Sequence, residues 1–297
     1  MNIINKFIPP ILLDLYRILS TKRRTFKIGK YDIKVPYNFI LPYYQKQFRL
    51  YDRFLPVLAK CLPNDKIIID VGANIGDTVI SLLSQCKNQI YCFEPSSFFY
   101  PYLEKNINIL DSYDINRVKI FKKLIGTGKL NGDLKHTIGG TANLKLIDNS
   151  NFITHSTLDS IIEDCSNVVL LKVDIDGFDF DVIQSADKIC KESEPILFWE
   201  NEISEEFQYQ GFNELYAWLE NRDYKYIYIF DNFGNLILSD CDFKQLRSLN
   251  YYLYSMKKNG NTRTIHYFDI LASTEKYRYT VEKAIDVYSK EWINFSE

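Results

Sequence analysis

The sequence predicts an α/β fold with one mostly parallel sheet of about seven strands and helices on both faces. Three observations support this fold. Short β-branched apolar runs alternate with segments of helical periodicity, an order typical of parallel sheets covered by helices. A glycine-bearing turn follows the first apolar run, as in doubly wound sheets. The 297 residues are also sufficient to bury the core of one large α/β domain.

Two strand–turn–helix units begin the predicted sheet. Residues 66–71 (KIIIDV) have the length and composition of a buried strand, and a helix is expected at residues 78–83. In the second unit, residues 89–93 form the strand, and apolar residues at helical spacing predict a helix over residues 98–110. Strands joined by crossover helices in this way run parallel.

The rest of the chain supplies further strands and helices. Helical periodicity occurs at residues 179–190, 211–220 and 280–293. Apolar runs of strand length occur at residues 118–121, 168–173, 196–199, 226–230, 236–238 and 266–272.

One long loop and two end segments accompany this sheet. Residues 126–157 are rich in Gly, Asn, Thr and Lys and lack clear periodicity, so they are predicted to form a loop. The main domain is expected at residues 61–275. An N-terminal helical or extended segment at residues 1–60 precedes it, and a C-terminal helix at residues 276–297 follows it.

The N-terminal segment contains an apolar stretch at residues 7–19, interrupted by two charges and followed by three basic residues at 22–24. This stretch is too short and too polar to span a bilayer, which takes roughly 20 apolar residues. A secretory signal would place its basic residues before the apolar stretch, so no export is predicted and the protein is expected in the cytoplasm. Residues 7–24 either pack on the domain or form an amphipathic helix at the inner face of the membrane.

The overall composition excludes some functions. Lys and Arg number 36 against 38 Asp and Glu, for a net charge of -2, which predicts no nucleic-acid partner. The six cysteines form no C-x-x-C pair and are interpreted as reduced thiols, in agreement with a cytoplasmic protein.

A glycine-bearing loop at residues 70–76 (DVGANIG) joins the first strand to its helix. Ligands of open α/β sheets bind at the carboxyl ends of the strands, where glycine lets them approach the backbone. The spacing from Gly72 to Gly76 is G-x-x-x-G, which lacks the middle glycine of the dinucleotide fingerprint G-x-G-x-x-G. The loop therefore predicts a nucleotide-like ligand without a diphosphate.

An acidic residue, Glu94, ends the second predicted strand. It follows Asp70 by 24 residues, where a carboxylate can accept two hydrogen bonds from a ribose diol. Together with the glycine loop, Glu94 predicts an adenosine-containing ligand.

Carboxylates follow the predicted strand at residues 168–173. Strand alternation places Lys172, Asp174 and, if the chain stays extended, Asp176 on one side. Two interpretations of these residues remain open. Lys172 and Asp174 form an ion pair that offsets the burial of the lysine charge, or Asp174 is a catalytic group at the carboxyl end of its strand.

Four ordered motifs resemble one known family. DVGANIGDT, FEPS, STLDSII and LLKVDIDGFDFDVI occur in the order and spacing of the FkbM family of S-adenosylmethionine-dependent methyltransferases, over residues 64–202. The resemblance implies a Rossmann-like class I methyltransferase fold with S-adenosylmethionine as cofactor. It also implies methylation of a hydroxyl group on a sugar, in a surface polysaccharide or glycoconjugate, or on another secondary metabolite.

The resemblance assigns roles to individual residues as well. Asp176 stands where the family more often has Glu, and its shorter side chain has less reach. Glu94 would hold the ribose hydroxyls, and the glycine loop would line the methionine part of the cofactor. The full set of cofactor-binding residues that the resemblance implies is Asp70, Gly72, Ala73, Asn74, Gly76, Thr78, Glu94 and Pro95.

Methyl transfer to a hydroxyl group requires a positioned acceptor and a base for its proton. Asp174 is the first candidate for this base or for orienting the acceptor, and the other catalytic candidates are Lys172, Glu200 and His155. Asp174, Glu200 and Asn201 also form an oxygen-rich set that suits Mg²⁺, which would acidify the acceptor hydroxyl.

Two other functions compete with a methyltransferase that acts on a small-molecule or glycan acceptor. The strand–helix alternation and the acid after the second strand also occur in NAD-dependent oxidoreductases, although the glycine spacing disfavours that class. A methyltransferase-like protein could also bind a partner or a membrane without turnover.

Overall fold

The computed structural model describes residues 25–36, 39–128, 132–136, 142–146, 155–260 and 265–293. The predicted N-terminal helix and the basic residues 22–24 lie outside these ranges, so a membrane contact there stays a prediction. Among the described helices, none has the length and apolar character needed to cross a membrane.

The described residues form twelve strands, eight of them in one central sheet. In chain order they are β1 Thr25–Ile28, β2 Tyr31–Lys34, β3 Ile67–Val71, β4 Gln89–Phe93, β5 Val118–Phe121, β6 Gly132–His136, β7 Ala142–Leu146, β8 Val168–Val173, β9 Ile196–Glu202, β10 Tyr226–Asp231, β11 Leu236–Cys241 and β12 Tyr267–Ser273.

The α-helices surround this sheet. They are α1 Leu41–Gln47, α2 Phe54–Cys61, α3 Asp77–Leu83, α4 Tyr100–Ile107, α5 Ser112–Ile115, α6 Leu158–Ile161, α7 Asp179–Gln184, α8 Asp187–Glu192, α9 Glu206–Glu220, α10 Phe243–Lys258 and α11 Arg278–Tyr288.

The central sheet has the order β11-β10-β12-β9-β8-β3-β4-β5. The five strands from β9 to β5 pair in parallel. Strand β12 lies antiparallel between β9 and β10, so β10 runs in the same direction as the parallel group. Six of the eight strands therefore point the same way, and the predicted α/β fold with a mostly parallel sheet and helices on both faces is confirmed.

Each face of the sheet carries its own apolar core, because successive side chains of a strand point to opposite sides. On β3, Ile68 packs in the core that also contains residues of α2, α3 and α11. Its neighbours Ile67 and Ile69 pack in the other core, with residues of α7, α9 and α10. This two-sided burial explains why the sheet strands read as nearly continuous apolar runs.

Several elements differ from the sequence-based expectation. The helix predicted at residues 179–190 is two helices, α7 and α8, which meet at Ser185 and Ala186. Helix α9 begins at Glu206, earlier than residue 211, because Glu205 and Gln208 form a capping box. The segment predicted as a loop at residues 126–157 contains the antiparallel hairpin β6–β7.

Two of the elements that were not predicted illustrate why. The first is helix α10, which buries only a narrow stripe of four residues, one of them polar: Phe243, Leu246, Asn250 and Leu253. The second is the β1–β2 hairpin, whose strands have four residues each and pair outside the central sheet. Short strands and thin apolar stripes give weak periodic signals, so both escaped the sequence analysis.

Candidate active site

A cavity of about 240 Å³ lies at the carboxyl edge of the parallel strands. Residues at the ends of β3, β4, β8 and β9 line it, together with parts of the segment at residues 39–55. The predicted site residues that line this cavity are Gly72, Asn74, Thr78, Glu94, Pro95, His155, Lys172, Asp174 and Glu200.

The glycine loop turns sharply between β3 and α3. Gly72 adopts a φ of +80°, and a Cβ there would lie 1.9 Å from the carbonyl oxygen of Asp174. Only glycine therefore lets the end of β3 approach the end of β8 this closely. The backbone N–H groups of Gly72 and Ala73 both donate to the carbonyl oxygen of Phe93, at 3.0 Å, which ties the loop to β4.

The Glu94 carboxylate is held in place by the backbone. One oxygen accepts a hydrogen bond from the Asn74 N–H at 2.9 Å, and the other accepts one from the Ser96 N–H at 2.8 Å. The side chain is buried at the cavity wall, and this burial raises the pKa of Glu94 to about 7, although the two N–H groups oppose the shift. Each oxygen keeps a lone pair for a ligand hydroxyl.

Lys172 is buried between two carboxylates. Its Nζ lies 2.8 Å from Asp70 Oδ1 and 3.5 Å from Asp174 Oδ2, and it donates to the Gly72 carbonyl oxygen at 3.3 Å. Burial opposes the lysine charge, but the two carboxylates outweigh it and raise the pKa of Lys172 above its usual value. Lys172 is therefore a buried cation that links β3 to β8. The predicted Lys172–Asp174 pair exists, but Asp70 is the closer partner.

The other catalytic candidates face the same cavity. The Asp174 side chain is 49% exposed, since it projects from the end of β8 into the open space. Glu200, on β9, also lines the cavity, and burial followed by repulsion from Asp174 raises its pKa well above the usual value. Partial burial lowers the pKa of His155, which favours a neutral imidazole there.

Some predicted residues lie elsewhere. Asp70, Ala73 and Gly76 are buried and are not among the residues that line the cavity. Asn201 was proposed as a metal ligand, and this is wrong, because adjacent residues of a strand point to opposite faces. Its side chain is fully buried on the face away from Glu200, where it donates to Asn250 Oδ1 at 2.7 Å.

Comparison with known proteins adds a decisive observation at this point. Residues 70–226, more than half of the chain, match the family described as the methyltransferase FkbM domain.

The chain belongs to the FkbM methyltransferase family.

No curated protein matches this FkbM methyltransferase. Among solved structures, FkbM from Methylobacillus flagellatus KT aligns with 13% identity and a TM-score of 0.40, over 78% of this chain and 58% of that chain. Precorrin-6y C5,15-methyltransferase from Geobacter metallireducens GS-15 aligns with 10% identity and a TM-score of 0.40, over 77% and 94%. A SAM-dependent methyltransferase from Aquifex aeolicus aligns with 10% identity and a TM-score of 0.39, over 78% and 96%.

Family and architecture together make the protein a class I methyltransferase that depends on S-adenosylmethionine. Family membership likewise favours S-adenosylmethionine over NAD, the alternative that the sequence left open. The site fits this cofactor, because the fixed Glu94 carboxylate can accept hydrogen bonds from a ribose diol. Glu94 with Asn74 and Gly72 would hold the nucleoside and methionine parts.

Several lining residues of this FkbM site were missed in the sequence. Asp52 and Asp77 face the cavity, and burial raises the pKa of Asp52 to about 7 and that of Asp77 to about 6. Asp181 also lines it and accepts a hydrogen bond from the Thr127 N–H at 2.9 Å. Asp269 was detectable, since it interrupts the apolar run at residues 266–272 as Lys172 interrupts its own strand.

One acidic cluster lies beside the cavity. Asp176, Glu200 and Glu202 can each bring a carboxylate oxygen to within 4.8 Å of the others. Of the predicted metal set, Glu200 belongs to this cluster, whereas Asp174 and Asn201 do not. Asp176 has a φ of +57°, so the chain turns after β8 instead of staying extended. The turn carries Asp176 toward Glu200, despite its side chain being shorter than that of glutamate.

Proposed function

We propose that the protein transfers the methyl group of S-adenosylmethionine to a hydroxyl oxygen of a sugar in a glycan or glycoconjugate. The observation that carries this proposal is that Asp174 faces the same cavity as Glu94 and the glycine loop. A carboxylate at this position can both accept a hydrogen bond from an acceptor hydroxyl and take its proton.

The walls of the cavity support a sugar as acceptor. Aromatic rings of Tyr51, Phe54, Phe230 and Tyr267 line it beside the carboxylates. Sugar rings present both apolar faces and hydroxyl groups, so aromatic surfaces and carboxylate oxygens together suit them.

Asp174 and Lys172 have different roles in the proposed reaction. Bound S-adenosylmethionine supplies a methyl group on a sulfonium, which is already activated for displacement. Asp174 then orients the acceptor oxygen and removes its proton, while Lys172 holds Asp174 at 3.5 Å and stays charged.

A metal-assisted route is the second candidate, and the cluster of Asp176, Glu200 and Glu202 favours it. Three carboxylate oxygens suit Mg²⁺, which would lower the pKa of an acceptor hydroxyl. Loss of activity in EDTA that added Mg²⁺ restores would support this route, and full activity in EDTA would remove it.

Replacement of Asp174 tests the main proposal. With glycans and labelled S-adenosylmethionine, we expect methyl transfer by the unmodified protein and at least a hundredfold lower turnover in Asp174→Asn, on the order of general-base catalysis. Cofactor affinity should stay near normal, because Glu94 and the glycine loop are untouched.

The matched control for this experiment is Asp286→Asn, which removes an exposed carboxylate on α11 that pairs with Lys290. It should keep full turnover. An Asp174→Asn protein that methylates normally would remove Asp174 as the base. Cofactor binding without transfer to any glycan would favour a methyltransferase-like binding protein instead.

A further inference from the structure

Two carboxylates face each other across a strand pair at the far end of the cavity. Glu200 on β9 and Asp269 on β12 are direct register partners, and both line the cavity. Like charges directly opposite each other on neighbouring strands destabilise a sheet. Neither carboxylate accepts a hydrogen bond from the described residues, and the charge of Lys172 offsets only part of that of Asp269.

Few cations face the negative charge of this end. Among the described lining residues, the only Lys and Arg side chains are Lys172 and Arg53. Lys172 is already paired with Asp70 and Asp174. The Arg53 guanidinium donates to Gln45 at 3.0 Å and lies 5.4 Å from the centre of the Trp292 ring.

Further carboxylates add to the negative charge at this end of the cavity. Asp52 and Asp174 line the same space as the Glu200–Asp269 pair. A cation placed among these carboxylates would offset their mutual repulsion.

The pair lies apart from the nucleoside end of the site. Glu94 follows β4, and three strand spacings separate β4 from β9 in the sheet. At about 4.8 Å per strand, Glu200 is on the order of 14 Å across the sheet from Glu94, and Asp269 is one strand further. The ribose and the Glu200–Asp269 pair thus occupy different ends of the cavity.

We propose that the Glu200–Asp269 pair selects an acceptor that carries an ammonium group near its methylated hydroxyl and rejects anionic acceptors. This inference rests on the proposed function, since it concerns the acceptor end of the same site. A protonated amine would lie between the two carboxylates and offset their repulsion, whereas a carboxylate or phosphate would meet only like charge. An amino sugar combines such a group with the hydroxyls that the reaction needs.

Three small probes of similar size separate the effect of charge from other features. Ethanolamine, ethylene glycol and glycolate each carry a hydroxyl group and differ in bearing a positive, zero or negative charge. Their dissociation constants can be measured by ligand-observed NMR at constant ionic strength and pH 7.5, in EDTA, with the full chain. We expect ethanolamine to bind about tenfold more tightly than ethylene glycol, and glycolate more weakly than either.

Matched variants test whether Glu200 and Asp269 cause the preference for ethanolamine. Glu200→Gln and Asp269→Asn should each reduce the preference for ethanolamine several-fold. Glu220→Gln, which removes an exposed carboxylate paired with Arg247, should leave it unchanged. The preference of the unmodified protein remains readable even where one variant fails to fold.

Three results would overturn the inference: equal or tighter binding of glycolate, an unchanged preference in both variants, or no binding of ethanolamine. The series is run with and without S-adenosylhomocysteine. Absence of S-adenosylhomocysteine binding would instead count against the proposed methyltransferase function. In that case the probe series measured without S-adenosylhomocysteine would still report the charge preference.

Discussion

At the residue scale, the buried ion pair of Lys172 with Asp70 is the feature on which the site geometry depends. The two residues are register partners on β8 and β3, and both are nearly inaccessible to solvent. Desolvation of two charges is costly, and their mutual attraction offsets it only while both remain. Lys172 also donates to the Gly72 carbonyl, so the pair couples the fold to the glycine loop.

The stability losses of the two single replacements of this pair should add up to more than the loss of the double replacement. Lys172→Met leaves the Asp70 carboxylate buried without its cation, and we expect a loss of about 3–5 kcal/mol in the free energy of unfolding. Asp70→Asn together with Lys172→Met should lose clearly less than the sum, because no charge remains buried. Urea unfolding of the four proteins measures this coupling, and strictly additive losses would show that the pair is not coupled.

The sequence analysis predicted some residues of the site and missed others. Glu94 and Asp174 were predictable because each follows an apolar strand at the carboxyl edge, and both line the cavity. Strand alternation also predicts that the side chains of Asn201 and Glu200 point to opposite faces of the sheet. The assignment of Asn201 as a metal ligand beside Glu200 was therefore avoidable. Asp52 lies in a segment without a motif and reaches the cavity only through tertiary packing, which local sequence does not encode.

At the scale of elements, the turn from β3 to α3 fixes how closely two strand ends approach. Gly72→Ala places a Cβ against the Asp174 carbonyl and should destabilise the protein and weaken cofactor binding. Gly128→Ala is the matched control, since Gly128 has the same φ of +80° but none of the described residues has an atom within 4 Å of an added Cβ. The control therefore separates the cost of a positive φ in alanine from the cost of the collision between the added Cβ and the Asp174 carbonyl oxygen.

Thermal unfolding and cofactor titration of both glycine variants measure the losses in stability and in cofactor affinity. We expect Gly72→Ala to lose more than the roughly 1 kcal/mol typical of a positive-φ glycine replacement, and Gly128→Ala to stay within it. Equal losses in the two variants would mean that the close approach of β3 and β8 does not matter.

Buried strands were the elements that the sequence predicted best. Strands β3, β4, β5 and β8 were located within one residue of their ends, because they are compact apolar runs bounded by turns. Helix α10 and the β1–β2 hairpin were missed because few of their residues enter the core. Pairing of β12 between β9 and β10 also depends on long-range contacts that no local pattern reveals.

At the scale of the whole molecule, the carboxylates of the cavity make stability depend on pH in an unusual direction. Burial raises the pKa of Asp52, Asp77, Glu94 and Asp176 to about 7, 6, 7 and 8. Between about pH 4 and 8 the folded chain therefore binds more protons than the unfolded chain, so these groups make the protein less stable as pH rises. His155, whose pKa is lowered, opposes this only weakly.

Urea unfolding without ligand at pH 5.5, 6.5, 7.5 and 8.5 tests this dependence. We expect the free energy of unfolding to decrease across the series, and Asp176→Asn to flatten the decrease, since its amide cannot ionise. A free energy of unfolding that increases from pH 5.5 to 8.5 would contradict the electrostatic description of the cavity.

Calorimetric titration of the protein and of Glu94→Ala with S-adenosylmethionine tests the central claim most directly, with NAD⁺ as the competing ligand. The structure predicts saturable binding of S-adenosylmethionine, no comparable binding of NAD⁺, and a loss of about 1–3 kcal/mol in Glu94→Ala from the missing ribose hydrogen bonds. Tight binding of NAD⁺ alone, or unchanged affinity for S-adenosylmethionine in a folded Glu94→Ala protein, would contradict the assignment of this cavity as the cofactor site.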